Sequence, residues 1–273
     1  MLKIEKFVTM SPEQWEIVIE GTRNPKNSWD RSDSYFGFAD TVEGADAVPI
    51  EFFVGENDQA LMESLAKGGP VHAKYRRMMP VWVTLTAPLY WWKEFDTYKV
   101  GTVTNSCSTM HKIHAKEFTL EDFSYERLFE LGYNAEYEDV PVYDNERWDA
   151  KLLLEMTIKS LNYYRQKYLE AKDKPMKDIS KRAKTMKRYW WQMIQLLPTS
   201  YNQKRTVLLN YEVLHNIYES RKNHKLDEWH VFCDWIEELP YSELITMKLE
   251  EELPQGMPPL YEDDRTTSGL LEE

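Results

Sequence analysis

The stretch MPVWVTLTAPLYWWKEF, residues 79–95, decides the predicted fold of this chain. Valine and leucine alternate with tryptophan and threonine over residues 81–86, which is the pattern of a β-strand with one buried face. Pro88 follows, and the aromatic residues behind it are spaced for a short helix. The sequence therefore predicts a strand that ends at Pro88 and leads directly into an aromatic helix.

Composition and charge bound the class of protein. The chain has 273 residues, 42% hydrophobic and 14% aromatic, so it can bury a full core. Its formal net charge of −12 predicts weak non-specific binding to nucleic acid and to membrane surfaces. No window of about 18 uncharged apolar residues occurs, and residues 1–16 lack the apolar core of a secretory signal. We therefore expect a soluble, cytoplasmic protein.

Periodic apolar residues outline the other elements. Ser11 and Pro12 predict the start of a helix that ends near Gly21, and Gly68 predicts the end of another. Residues 202–211 predict a strand. Further helices are expected over residues 58–67, 120–132, 148–171, 188–198, 212–223 and 226–240.

Two of these regions carry more specific expectations. Leu153, Met156, Ile158 and Leu161 are predicted to form most of the buried stripe of the helix over 148–171. Residues 172–188 hold eight basic residues, which are typical of a solvated helix face, with nucleic-acid binding as a minor alternative.

Several common sites are absent. The sequence has no dinucleotide-binding glycine motif, no phosphate-binding loop, no zinc-protease motif and no serine nucleophile elbow. His111 and His114 lie near Cys107, but no further ligands follow at a recognised spacing, so no metal site is predicted. Cys107 and Cys233 form no disulfide framework.

Three segments, taken in order, resemble the flavin-dependent thymidylate synthase family. Residues 60–77, ALMESLAKGGPVHAKYRR, are similar to the family's helix and histidine loop. Residues 83–95 resemble its strand, Ala-Pro and signature-bearing helix. Residues 196–221, LLPTSYNQKRTVLLNYEVLHNIYESR, match the family's Leu-Pro, two asparagines and arginine without a gap. The pattern and the resemblance together predict an α+β fold, a mixed or antiparallel sheet with long helices packed on it.

The resemblance implies a function and a set of site residues. The family transfers a one-carbon unit to C5 of a pyrimidine deoxynucleotide with FAD, using NADPH and methylenetetrahydrofolate, and its members are homotetramers. It implies flavin contacts at His72, Asn210, Asn216 and Lys99. It implies nucleotide contacts at Arg221, Glu94, Cys107 and Thr109. We expect one domain over residues 1–249 and an acidic, proline-containing tail over 250–273.

The chain departs from the family at its signature. Thr97-Tyr98-Lys99 replace an Arg-His-Arg triplet, and within residues 102–109, TVTNSCST, Thr102, Thr104, Cys107 and Thr109 stand where the family has Ser, Asn, Ser and Arg. Downstream, Ile194 and Glu212 stand where the family has arginines. Arginine binds phosphate and carbonyl oxygens bidentately, so Lys99, Lys187 or Arg188 would have to supply the missing charge.

Three hypotheses stay open at this point. The chain is a divergent flavoenzyme, a non-catalytic binding or structural homologue, or an unrelated helical protein. The hydroxyl-rich residues 102–109 line a ligand cleft under the first two hypotheses. The alternative is that they form a polar helix start without a ligand.

Overall fold

The computed structural model describes residues 1–38, 49–174 and 179–247. Its strands are β1 Lys3–Val8, β2 Tyr35–Phe38, β3 Pro49–Phe53, β4 Pro80–Pro88, β5 Val103–Ser106, β6 Val142–Tyr143, β7 Glu146–Arg147 and β8 Asn202–Asn210. Its α-helices are α1 Pro12–Arg23, α2 Glu56–Lys67, α3 Leu89–Phe95, α4 Ala150–Asp173, α5 Ile179–Leu196, α6 Tyr211–Arg221, α7 Asp227–Glu237 and α8 Glu243–Thr246.

A four-stranded antiparallel sheet in the order β1-β4-β8-β5 carries the main core. Along β4 the valine and leucine positions face inward, and Thr84 pairs with Thr206 of β8 through a hydroxyl hydrogen bond of 3.0 Å. β2–β3 and β6–β7 form two separate two-stranded pairs. The predicted α+β architecture, an antiparallel sheet with helices packed on it, is confirmed.

The junction at Pro88 forms as predicted. β4 ends at Pro88, which is also the N-cap of α3. The side chains of Trp91, Trp92 and Phe95 are almost completely buried. The rings of Trp91 and Phe95 contact Trp229 of α7. The ring of Trp92 contacts those of Trp91 and Phe95. The aromatic run therefore anchors α3 in the main core.

A second hydrophobic cluster lies under the helical hairpin α4–α5. Leu154, Ile158 and Leu161 of α4 meet Met193 of α5 over the buried side chain of Phe123 and its neighbours. Leu153 and Met156, predicted as part of the buried stripe, are instead about 40% exposed. Helical spacing admits two adjacent stripes here, and only the structure shows that Leu154, not Leu153, points inward.

The predicted helix over residues 120–132 is wrong. Thr119 and Asp122 form a capping box around a single 3₁₀ turn, Leu120–Asp122. Phe123 is then extended and bridges to Tyr201, so the apolar residues of this region reach the second cluster without a helix. The other predicted helices and the strand over 202–211 are present, most with small shifts in their ends; α1, for example, runs to Arg23 instead of Gly21. The helix predicted over 188–198 begins nine residues earlier, because α5 spans Ile179–Leu196.

Parts of the predictions fall elsewhere. The acidic tail over residues 250–273 lies outside the described residues. The single domain over 1–249 stays a prediction.

Candidate functional site

Arg221, at the C-terminal end of α6, is fixed from three sides. Its Nε donates to the Tyr98 hydroxyl at 2.9 Å, and its Nη1 donates to Glu94 Oε2 at 3.1 Å. The guanidinium stacks 5.0 Å from the ring centroid of Trp229. The Arg221 side chain keeps 19% exposure, and no residue that the structure describes bonds to its Nη2. The arginine is thus rigidly placed with one donor edge available.

Glu94 holds this cluster together. Its Oε2 also accepts from Trp229 Nε1 at 2.9 Å and lies 3.4 Å from His224 Nε2. Trp91 and Phe95 of α3 are buried and pack against Trp229, which brings the neighbouring Glu94 to α6 and α7. The carboxylate balances the guanidinium charge, so the pair is electrically neutral before any ligand arrives.

The turn after α3 runs along α6. Tyr98 contacts Arg221 at the C-terminal end of the helix, and Gly101 packs against Asn210 at its N-terminal end. Gly101 has φ +78°, and a Cβ there would lie 3.0 Å from Asn210 Nδ2. Asn210 caps α6, its Oδ1 accepting from Val213 N at 3.1 Å. The exposed Lys99 lies in the same turn, between Tyr98 and Gly101.

Two of the predicted flavin contacts lie elsewhere in this copy. His72 is exposed and its ring packs against Gly68 at the end of α2. Asn216 is exposed on α6, five residues from Arg221, which corresponds to about 140° around a helix of 3.6 residues per turn. Neither joins the Arg221 cluster within one chain.

The hydroxyl-rich run forms an edge strand instead of a helix start. All four residues of β5 are exposed. Cys107, just beyond it, is exposed and donates its backbone N–H to Lys204 O at 2.9 Å. Asn210 lies six residues further along β8, about 20 Å at 3.4 Å per residue, and Thr109 follows Cys107 in a partly buried turn. The cleft interpretation for residues 102–109 stays a prediction.

The two downstream positions that the resemblance aligned with arginines have structural roles in this chain. Glu212 is buried on α6 with its Oε2 3.9 Å from Nη1 of Arg76, which is itself 1% exposed. Ile194 packs against the second hydrophobic cluster. Both side chains therefore pack toward the interior of this protein.

Sequence reasoning missed three members of the cluster: Tyr98, His224 and Trp229. Tyr98 was visible only as a substitution in the signature, and Trp229 only as a core position of α7. The spacing of HKLDEW, residues 224–229, was the available signal. It placed His224 and Trp229 shortly after Arg221, where a turn can bring them back to it.

Other possible sites are separate from this cluster. A cavity of about 810 Å³ beside α7 is lined by Tyr90, Glu126, Glu228 and others, and by none of the eight predicted site residues. Within residues 1–38, 49–174 and 179–247, no group of three potential metal ligands comes together. None of the helices described is long and apolar enough to cross a membrane.

Comparison with known proteins identifies relatives by fold. Thymidylate synthase X from Helicobacter pylori, solved with FAD and dUMP, superposes with a TM-score of 0.50 at 13% identity, covering 92% of this chain and 99% of that chain. The fold is similar to that of thymidylate synthase X. No protein-family model matches the sequence, and no curated protein does. At such low identity the likeness is one of fold.

Two more solved structures are similar at lower scores. A second Helicobacter pylori thymidylate synthase X complex with FAD and dUMP has a TM-score of 0.48 and 15% identity, covering 90% of this chain and 96% of that chain. The UMP/dUMP methylase PolB from Streptomyces cacaoi, bound with 5-Br dUMP, has a TM-score of 0.48 and 12% identity, covering 87% of this chain and 88% of that chain.

Proposed function

We propose that this chain is a divergent, thymidylate synthase X-like protein that binds a pyrimidine deoxynucleotide and FAD and transfers a one-carbon unit to C5. The observation that carries the proposal is Arg221, held by Glu94, Tyr98 and Trp229 with its Nη2 edge available. It occupies the position that the sequence resemblance assigns to the nucleotide, in a fold similar to an enzyme solved with dUMP.

Arg221 would bind the nucleotide phosphate. The side chain is already oriented, so little rotamer entropy is lost when an anion arrives. Glu94 acts as a positioning residue, because it neutralises the guanidinium and fixes its plane. A phosphate dianion therefore meets a neutral pair, and the exposed Lys99 in the neighbouring turn is the candidate second cation.

The residues present fit FAD in kind. Asn210 keeps its Nδ2 for a ring carbonyl while its Oδ1 caps α6, and the free amide of Asn216 offers both a donor and an acceptor. The ammonium of Lys99 suits a pyrophosphate. FAD, when bound, supplies the reducing equivalent of the reaction. His72 and Asn216 are exposed away from the Arg221 cluster, so a flavin site that includes them would require a second copy of the chain, consistent with a homo-oligomer.

A non-catalytic binding protein is the second candidate. Uracil polarisation in the proposed reaction depends on cations near the ring, and Thr97-Tyr98-Lys99 offer only one. The Tyr98 hydroxyl is moreover engaged with Arg221. This combination would retain nucleotide binding while losing the chemical step.

Absorbance and isotope release together test the proposal. The purified protein is mixed with FAD, passed through gel filtration and scanned in the visible range, and tritium release from 5-labelled dUMP is then measured with NADPH and methylenetetrahydrofolate. Retained flavin with tritium release supports the enzyme. Retained flavin with dUMP binding but no release supports the binding protein. A colourless protein that also ignores dUMP would overturn both.

A further inference from the structure

The α4–α5 hairpin is the positively charged end of an acidic protein. Its residues 159–174 and 179–188 contain ten lysines and arginines against Glu170 and Asp173, a net charge of +8. The whole chain has a net charge of −12, so the remainder carries −20. Charge this strongly segregated makes a local potential that the whole-chain value does not describe.

The outer face of α5 presents these charges in a line. Lys184, Arg188 and Trp191 are exposed and separated by four and three residues, so they lie on one stripe of the helix, with Lys187 beside it. Lys184, Lys187 and Arg188 form no ion pair with any residue that the structure describes. The Trp191 side chain is 41% exposed at the end of the stripe. The basic stripe thus combines unpaired cations with an aromatic surface.

The neighbouring face of α4 also carries an aromatic side chain and a lysine, and this lysine is paired, with Lys167 Nζ 2.9 Å from Glu170 Oε2. Tyr163 is 57% exposed, and the ammonium of Lys167 lies 5.7 Å from its ring centroid.

The loop around Met110 and His114 lies against the hairpin. Trp190 Nε1 donates to Met110 O at 2.8 Å, and Arg165 Nε donates to His114 O at 3.1 Å, which joins this loop to the hairpin. Burial lowers the pKa of His114, and Lys172, Lys112 and Arg165 lower it further.

We propose that the surface formed by Lys184, Lys187, Arg188, Trp191 and Tyr163 binds single-stranded nucleic acid. Single-stranded sites pair a cationic track for the phosphates with aromatic side chains on which bases stack. A DNA or RNA duplex would bind the cations through its phosphates but offers no unstacked bases to Trp191 and Tyr163. An acidic protein segment would bind the cations and would not need the two aromatic side chains. The expectation of weak nucleic-acid binding came from the charge of the whole chain, which the structure shows to be unevenly distributed.

Fluorescence anisotropy of the full-length protein tests this surface. The probes are labelled single-stranded oligo(dT) and oligo(U) of about 12 nucleotides, a duplex of equal length, and poly-glutamate as a competitor. The test variant is Lys184→Glu/Lys187→Glu/Arg188→Glu. Its matched control is Lys26→Glu/Lys67→Glu/Lys74→Glu, which changes the net charge equally at three exposed lysines outside the hairpin. Trp191→Ala tests stacking without changing charge.

We expect single strands to bind more tightly than the duplex. For each phosphate contact, the logarithm of the association constant should fall by about 0.7 for every tenfold rise in salt concentration. The hairpin triple variant should lose at least about tenfold in affinity and Trp191→Ala about five- to tenfold, while the control retains most of it. Three results would overturn the proposal: no binding at low salt, equal loss in the control, or competition by poly-glutamate as strong as by oligonucleotide. The last would assign the surface to acidic protein segments.

Discussion

Glu94 and Arg221, separated by 127 positions in sequence, form one hydrogen-bonded ion pair between α3 and α6. The carboxylate also accepts from Trp229, and the guanidinium stacks on the same tryptophan, so three elements meet at one point. The candidate nucleotide site is therefore located by this pair.

Replacing Arg221 by glutamine should weaken dUMP binding by about 10- to 100-fold, because a charge-assisted hydrogen bond contributes about 1.5–3 kcal/mol. Isothermal titration calorimetry with dUMP measures the change. Arg205→Gln is the matched control, since Arg205 also pairs with a carboxylate, Asp96 at 2.7 Å, and stacks on a tryptophan, Trp92 at 4.3 Å. Equal losses in the two variants would contradict a specific role for Arg221.

Replacing Gly101 by alanine should both destabilise the protein and weaken flavin retention. At φ +78° an alanine is strained by about 1–2 kcal/mol, and its Cβ would press on Asn210 and Val213 at 3.0 and 3.1 Å. Gly132→Ala isolates the second effect, because Gly132 has φ +80° and nothing within 4 Å of the added carbon. Urea unfolding and the visible spectrum after gel filtration measure both. If the two variants behave alike, the contact between Gly101 and Asn210 has no role.

Local patterns predicted the elements around the site well. The alternation of β4, the proline at residue 88 and the N-cap of α1 are properties of neighbouring residues, and the structure has them. The continuous run from β8 into α6 likewise fixed Asn210 and Arg221 at opposite ends of one helix.

Long-range pairings could not be predicted in the same way. Nothing in local spacing says that Tyr98 bonds to Arg221, or that Glu212 is buried against Arg76. The false helix over 120–132 has the same origin: its apolar spacing is satisfied by irregular backbone packed on the second cluster. The conformation of such regions depends on tertiary contacts, which the local patterns of a single sequence do not predict.

Asp58→Asn should lower the free energy of unfolding by about 3–5 kcal/mol, because it leaves Arg23 buried without its counter-charge. Asp58 is 1% exposed and accepts from Arg23 Nε at 2.6 Å and from the hydroxyls of Ser32 and Ser34. Urea unfolding at pH 7 measures the loss. Asp30→Asn, at an exposed position nearby, should change stability by less than about 0.5 kcal/mol.

The same carboxylate predicts a pH dependence. Burial alone would raise the pKa of Asp58, but hydrogen bonds from Ser32, Ser34 and Arg23 outweigh it and hold the pKa below its ordinary value of 3.8. The unfolded chain therefore binds the proton more readily, and the stabilisation is present above pH 3.8 and lost as pH falls through the folded value. The difference between the wild type and Asp58→Asn should shrink below about pH 4. A constant difference down to pH 2 would contradict this assignment.

The two cysteines should report separately on the site and on the fold. Cys107 is exposed and should react with a thiol reagent in the native protein. Burial raises the pKa of the Cys233 thiol to about 12, so Cys233 should react only after unfolding. We expect one labelled thiol in buffer and two in urea, with the fast one removed by Cys107→Ser. If Cys107 lines the nucleotide site, saturating dUMP should slow its labelling several-fold in the wild type and not in Arg221→Gln. An unchanged rate in wild type that binds dUMP would remove Cys107 from the site and leave Arg221 in it, because Cys107 pairs with β8 whereas Arg221 lies at the end of α6.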